Sequence, residues 1–508
     1  MSKIKKFLVL FVALLVSVMF VACTDVSKLG GDTEEPTTTQ NPTGQPQTGE
    51  PTPQKTGTAP QPQSGDFVIP AGGYDGSEVT ITFYHTMGAN LSNVLNEYVK
   101  KFNELYPNIT ISHQQVGGYD DVRNQISTEI AVGGQPNIAY CYPDHVALYN
   151  EAGATQSLDD LIASKEVVTR ADGTTEILGL TQEQIDDFIA GYYNEGKQFA
   201  DGKMYTMPFS KSTEVLYYNK TFFDAHGLEV PQTWAELETL CQQILEIDPN
   251  CVPLGYDSEA NWFITLCEQY GSPYTSATDA MKFQFVNDTN EAFVKMIRGW
   301  YQKGYITTQK LYGSYTSGLF VNTKPGETKS YMSIGSSAGA THQRPEMGDD
   351  GYPFEVGIAT IPQVNPENPK VISQGPSVCI FAKSNPQEVI ASWLFVKYLT
   401  TSVDFQATFS TVSGYVPVIK SVTDNAAYAR FLASADGGDY IAALSAKVCL
   451  EQESAYYTSP AFNGSSTARD QVGLLLSSCI SQPWSESEVD AKIHEAFIAA
   501  LKECAYFS

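Results

Sequence analysis

The run 78–84, Glu-Val-Thr-Ile-Thr-Phe-Tyr, is rich in β-branched and aromatic residues, alternates in part, and stops at His85-Thr86-Met87-Gly88. Behind it Leu91, Val94, Leu95, Tyr98, Phe102 and Leu105 recur at helical spacing, with Asn90 as the expected N-cap and Pro107 as the stop. A second strand is expected over 108–112 and a second helix from Asp120, with Val122, Ile126 and Ile130 inward. A third strand follows over 138–142. This order constrains the chain to an α/β fold with a mostly parallel sheet and helices on its faces. Ligands of such sheets gather beyond the carboxyl ends of the strands, which places His85, Tyr119, Tyr142 and Asp144 in loops of one rim.

The stretch from residue 78 to Ser508 is longer than one hydrophobic core usually serves, so two lobes are expected. The second unit starts after Pro208. There 215–219 has strand character, and Thr233-Trp234-Ala235-Glu236 forms a capping box that opens a helix. Further on, 331–334 runs into Gly335-Ser336-Ser337-Ala338-Gly339. Its hydroxyls and glycines either offer donors to an anion or polyol or form a plain turn.

Ahead of this body, Lys3, Lys5 and Lys6 precede an apolar run from Phe7 to Ala22, ended by Cys23. That is the arrangement of a bacterial signal peptide, expected over 1–22; an uncleaved membrane anchor is the competing reading. The segment 23–77 is expected to be a leash. Between Gly31 and Asp66 it holds Pro, Thr, Gln and Gly and no aromatic residue, too little apolar surface to offset chain entropy.

The formal charge is −26, from 31 basic and 57 acidic residues, and loss of the three signal lysines takes it to −29. Such a body is a poor partner for nucleic acid or an anionic lipid surface. Beyond Cys23 the cysteines are Cys141, Cys241, Cys251, Cys267, Cys379, Cys449, Cys479 and Cys504, with no CxxC pair. Cys241 with Cys251 or Cys267 is a candidate local disulfide, and buried free thiols are the alternative. The scattered histidines suggest no metal site, and no cofactor is expected. No HExxH, GxSxG or Walker-type loop occurs, which argues against an enzyme.

Several stretches together resemble the extracellular solute-binding proteins (family 1) of bacterial ABC importers, a family that includes binders of maltose, other oligosaccharides and glycerol-3-phosphate. They are Phe83-Tyr84-His85-Thr86-Met87-Gly88, Tyr119-Asp120-Asp121-Val122, Gly133-Gly134-Gln135-Pro136-Asn137-Ile138 and Met207-Pro208-Phe209. Phe222-Phe223-Asp224-Ala225-His226-Gly227-Leu228, Pro231-Gln232-Thr233-Trp234, Gly335-Ser336-Ser337 and Gln374-Gly375-Pro376-Ser377 continue the match. Ala391-Ser392-Trp393-Leu394-Phe395 and Ser413-Gly414-Tyr415-Val416-Pro417 complete it. The residues before Cys23 are similar to a lipoprotein signal, although Phe20 and Val21 depart from the preferred residues; this implies diacylation of the Cys23 thiol and a lipid anchor at the extracellular face of the membrane.

The resemblance implies two α/β lobes of the type II periplasmic-binding-protein kind, joined by strand crossovers and closing on ligand by hinge bending. The N-terminal lobe would comprise 78–207 and 373–412, and the C-terminal lobe 208–372 and 413–508. The implied partners are a membrane permease with its ATPase, and the receptor is expected as a monomer. Tyr119, Ser212, Ser336 or Ser337, Gly375, Tyr415 and Arg469 fall where the glycerol-phosphate branch contacts ligand, and Trp262 where the family often places an aromatic platform. Trp262 as a core residue is the competing reading. Pro143 departs from that branch, which carries an acidic residue there; Asp144 stands next to it. On this basis the expected ligand is an uncharged sugar or oligosaccharide, with glycerol-3-phosphate or a glycerophosphodiester as the alternative. A surface adhesin without a hinge and a glycan-active enzyme are the remaining rivals.

Overall fold

Where the alternating runs stand, β1 (Val79–His85), β2 (Ile109–Gln115) and β3 (Ile138–Cys141) form parallel neighbours with β1 in the middle. The computed structural model describes residues 67–434 and 440–507, so the expected signal peptide, Cys23 and the leash up to Asp66 lie outside the described residues. A small hairpin, β4 (Val167–Thr169) with β5 (Thr175–Ile177), flanks the lobe. The N-lobe sheet is completed by β6 (Thr206–Pro208) and a late-arriving β13 (Ser377–Ile380), in the order β2-β1-β3-β13-β6. Helix α1 (Ala89–Leu105) buries Val94, Leu95, Tyr98 and Phe102 against this sheet. Its N-cap is Gly88 rather than Asn90, because the chain leaves β1 through an extended Gly88 whose carbonyl already accepts from Ser92 N–H. Helix α2 (Tyr119–Ile130) is capped by Asp121, whose carboxylate accepts from Gly118 N–H at 2.7 Å. Helix α3 (Pro143–Glu151) begins with proline at its first position, where no backbone N–H is needed.

The C-lobe sheet is built around β7 (Ser212–Asn219), with β8 (Leu254–Tyr256), β9 (Ile306–Thr308), β10 (Met332–Ser336), β12 (Val371–Gln374) and β14 (Tyr456–Tyr457) in the order β14-β12-β7-β10-β8-β9. β11 (Val356–Ala359) also pairs with β7. The capping box forms: Thr233 Oγ1 accepts from Glu236 N–H, and Glu236 Oε2 accepts from Thr233 N–H. Among the described residues all eight cysteines are buried and unpaired. No described helix is long and apolar enough to cross a membrane.

The chain passes between the lobes three times. β6 leads to β7 across residues 208–212, and β12 leads to β13 across 374–377. The third passage follows α4 (Val403–Ser413), whose Phe405 packs edge-on against Tyr98 of α1, and runs through Tyr415 and Val416. Lys211 ties the passages together. Its backbone pairs in both directions with Val416, and its ammonium, 0% exposed, donates to Gly375 O at 3.1 Å and Ser377 Oγ at 3.0 Å. The same ammonium pairs with Glu195, whose carboxylate also accepts from Ser377 Oγ at 3.0 Å. Gly375 sits at φ 93°, and a Cβ there would fall 2.6 Å from Ser210 O, so this crossing demands glycine.

Residues 67–77, included in the expected leash beyond the Gly31–Asp66 stretch whose composition argued for it, instead dock on the N-lobe. Phe67, Ile69 and Tyr74 pack against its core, Gln387 Nε2 donates to Gly73 O at 3.1 Å, and Asn108 Nδ2 donates to Gly76 O at 2.7 Å. Tyr74 meets Tyr106 edge-on with ring centroids 6.0 Å apart. The three apolar side chains are too few to show periodicity, so the sequence pattern was silent about them.

His85 is fully buried at the end of β1. Met87 N–H donates to His85 Nδ1 at 3.1 Å, so His85 Nε2–H is left to donate to His113 Nδ1 at 2.9 Å. His113 Nε2–H then donates to Asn96 at 3.0 Å. This chain exists only with both rings neutral. Burial, helped by His113, pushes the His85 pKa from 6.5 to about 4. The folded state therefore binds fewer protons than the unfolded one between those values. The contribution is complete above pH 6.5 and is lost as the pH falls toward about 4, a loss that His85→Asn should flatten in pH-dependent thermal melts. At the hinge, Lys211→Met strands a buried carboxylate and should lower unfolding free energy in urea by about 3–5 kcal/mol. The double variant Lys211→Met with Glu195→Gln should recover most of it. An unmoved midpoint in the single variant would remove the network from the stability account.

Candidate functional site

Between the lobes lies a cavity of about 230 Å³. The N-lobe contributes Tyr142, Pro143 and Asp144 from the end of β3 and the first turn of α3, together with Glu195. The C-lobe contributes Ser373 and Gln374 from β12, Tyr274, the segment 458–460, and Ser465 and Arg469. The last two stand in the first turns of the helix α5 (Ser465–Ser481), which opens at Gly464 with φ 98°.

Asp144 is the pivot of the N-lobe wall. Its Oδ1 accepts from His145 N–H at 3.0 Å and its Oδ2 from Ser466 Oγ, across the cleft, at 2.6 Å. Burial alone would raise its pKa, but His145, the Ser466 hydroxyl and the Arg469 charge hold it below the usual carboxylate range. A helix N-terminus favours the same ionised state. Opposite, Arg469 donates to the neutral Asn261 Oδ1 and not to its sequence neighbour Asp470, which leaves most of its fork of donors for the cavity. Asn261 Nδ2 in turn donates to Glu214 at 2.9 Å, and Tyr256 OH donates to the other Glu214 oxygen at 2.5 Å. Burial pushes the Glu214 carboxyl up to about 7 against the pull of Tyr256, Asn261 and Arg469. Two buried polar atoms in the lining, Ser373 Oγ and Tyr274 OH, have no hydrogen-bond partner among the described residues.

Arg469 and Gln374 also face a second cavity, of about 810 Å³ on the C-lobe side, lined by Glu214, Asp257, Asn261, Ser336 and Gln343 among others. The two guanidinium-lined spaces thus share a wall.

The expected site residues distribute unevenly. Asp144 and Arg469 meet in the interlobe cavity, and Ser336 lines the adjacent one while its Oγ accepts from Ala338 N–H. Tyr119 lies beside the rim, its ring 4.7 Å from Tyr142 and its hydroxyl bonded to that of Tyr415. Neither Tyr119 nor Tyr415 is part of the cavity linings. Ser212 and Ser337 are buried; Ser212 pairs by backbone with Gln374, and Ser337 Oγ accepts from Thr213 N–H at 3.1 Å. Gly375 belongs to the hinge. His85 departs from the rim position expected for it: the loop after β1 folds it inward onto Phe83, Tyr140 and His113. Trp262 departs as well. It is 0% exposed and stacks on Tyr256 at 4.4 Å, flanked by Trp234 and Trp300, because its helix (Glu259–Tyr270) turns this face to the C-lobe core.

Several lining residues were not anticipated, among them Ser373, Glu195 and Tyr274. Ser373 immediately precedes the Gln374-Gly375-Pro376-Ser377 motif, and that adjacency was the available signal. Glu195 and Tyr274 carry none, since each reaches the cavity only through tertiary packing. Trp262→Ala should cost about 3–5 kcal/mol in chemical denaturation through the cavity it leaves. Unchanged stability with weakened ligand binding would instead restore its role as a platform.

The family model described as bacterial extracellular solute-binding protein matches residues 97–433. The sn-glycerol-3-phosphate-binding periplasmic protein UgpB of Salmonella typhimurium is 27% identical over 190 residues; the match spans 37% of this chain and 40% of that relative's length. Among solved structures, UgpB from Mycobacterium tuberculosis in complex with glycerophosphocholine superposes with a TM-score of 0.64 at 18% identity, covering 84% of this chain and 98% of that one. The sugar-binding protein MalE from Xanthomonas citri does so with a TM-score of 0.65 at 17% identity, over 84% and 98% of the two chains. The two-lobed α/β architecture with its crossovers is thus shared with both. With its family match extending over most of the chain, this protein belongs to the bacterial extracellular solute-binding proteins, a family that binds rather than transforms its ligands.

Proposed function

We propose that this protein is the receptor of an ABC importer and that it captures a glycerol phosphate in the interlobe cavity. The observation that carries the reading is the placement of Arg469. Its guanidinium lines the cavity, engages a neutral amide rather than a carboxylate, and so keeps donors free for two oxygens of a phosphate. Asp144 and the unpartnered Ser373 and Tyr274 hydroxyls are suited to the glycerol hydroxyls. Asp144 stands one residue beyond the position where the glycerol-phosphate branch carries its acid, and it lines the same cavity.

The first expectation, an uncharged sugar, is less well supported. It rested on the departure at Pro143, and the aromatic platform a sugar would have used, Trp262, lies in the core. Relatives named as sn-glycerol-3-phosphate-binding proteins point the same way as Arg469. Ligand bound between the lobes favours the closed arrangement, which is the form that docks on the permease. Diacylation of Cys23 would hold the receptor at the extracellular face of the membrane.

A thermal-shift series on the purified protein tests this. sn-Glycerol-3-phosphate should raise the apparent melting temperature and maltose should not, since a ligand that binds only the folded state stabilises it by mass action. Arg469→Gln should weaken glycerol phosphate by about 2 kcal/mol, the worth of a charge-assisted hydrogen bond. Stabilisation by maltose alone would return the protein to the sugar binders. Equal losses on both ligands in Arg469→Gln would make Arg469 a support of the lobe.

A further inference from the structure

Glu214 reaches the wall of the C-lobe cavity from β7, and the residue is only 1% exposed. Both oxygens of its carboxyl meet neutral partners: Tyr256 OH at 2.5 Å and Asn261 Nδ2 at 2.9 Å. A negative charge held out of water by neutral partners is costly, and taking on a proton removes that cost. The contacts suit both forms. The phenol can donate to the carboxylate or accept from the acid, and the Asn261 amide donates to an oxygen in either case.

Asn261 joins this buried acid to the ligand cavity. Its Oδ1 accepts from Arg469, so a single planar amide stands between the Glu214 carboxyl and the guanidinium that lines both spaces. The other charged group facing Glu214 is Asp257, which opposes its ionisation and whose Oδ1 accepts from Thr316 Oγ1 at 2.7 Å. Tyr457 faces it from β14, and His342 lines the same cavity from an exposed position. Ionised, Glu214 offsets the field of Arg469, and the two together are neutral to a ligand. Protonated, it leaves Arg469 a bare cation. An anion seated on Arg469 repels an ionised Glu214 and so favours the protonated form. Burial has already lifted this carboxyl to about 7, so the exchange falls near neutral pH.

We propose that Glu214 decides the ligand charge that the site accepts: with its proton on, the site takes an anion at Arg469, and with its proton off, that preference is lost. The proton comes from solvent through the cavity that Glu214 lines, and no covalent bond of the ligand changes. This role rests on the glycerol-phosphate reading of the interlobe cavity.

Titration calorimetry on the full chain with sn-glycerol-3-phosphate, from about pH 7 to about 8.5, tests this. The free ligand stays largely a dianion over that range, because the second pKa of a phosphate monoester is about 6. An anion that raises the Glu214 pKa by about one unit discriminates about tenfold between its two forms. Wild-type affinity should therefore fall about fivefold across the range. Glu214→Gln keeps an acceptor for Asn261 and stands in for the protonated acid. It should abolish the pH dependence and bind glycerol phosphate about tenfold more tightly than wild type at the alkaline end. A residue that only supported the fold would show a loss at every pH, and that loss, or an unchanged slope in the variant, would overturn the proposal. Urea unfolding of the ligand-free protein gives a second readout. A carboxyl lifted from 4.5 to about 7 stabilises the fold below the lower value and loses that contribution as pH rises through the upper one, so Glu214→Gln should gain on wild type across the interval. Wild-type affinity for glycerol phosphate that is flat with pH would overturn the role of Glu214 and leave the glycerol-phosphate reading standing. No binding at any pH would overturn both, and the wild-type series decides these outcomes even if the variant does not fold.

Discussion

One buried ammonium holds the two lobes in register. Lys211 stands in the first crossover, bonds the carbonyl of the second and pairs by backbone with the third. A lysine that has lost all contact with water is costly unless its charge is matched, and Glu195 with Ser377 provides the match. Because Glu195 also lines the interlobe cavity, the charge that secures the hinge is compensated by a residue of the cavity wall. Cleft and hinge are therefore one electrostatic unit.

The cavity applies the same logic at its other end. Asp144 and Arg469 oppose each other across the cleft without forming a salt bridge. Each instead takes a hydroxyl or amide partner, Ser466 for the acid and Asn261 for the base. A direct pair would have cancelled both charges and left nothing for a ligand to do. Neutral partners fix the side chains in place and preserve their charge, and this is what pre-organisation of a polar site requires. The chain Arg469–Asn261–Glu214–Tyr256 carries that support into the strand β7 that begins at the hinge.

How much of this was legible in the sequence depended on range. Helix α1, the capping box at Thr233 and the first three strands follow from local spacing; they appear within a residue or two of where the pattern puts them, except that β2 runs three residues longer, to Gln115. Asp144 was legible because strand-end position follows from the fold class. His85 shared that position and turned inward, since the direction of a loop side chain depends on what packs beneath it, here His113 from the neighbouring strand. Trp262 illustrates the same limit: helical spacing gives a face, and only the C-lobe core decides which way the face looks. Glu195, Tyr274 and the Lys211 knot join residues remote in sequence and leave no periodic trace.

The docking of residues 67–77 has a mechanical consequence. They meet the N-lobe at Asn108 and Gln387, close to where β1 and β2 begin, while Tyr142, Pro143 and Asp144 of the interlobe cavity stand beyond the end of β3. Any load carried by the chain that precedes Phe67 enters the molecule at the far pole of a single lobe. Its line of action bypasses the three crossovers, so a pull on the N-terminal end translates the receptor without opening or shutting its jaws.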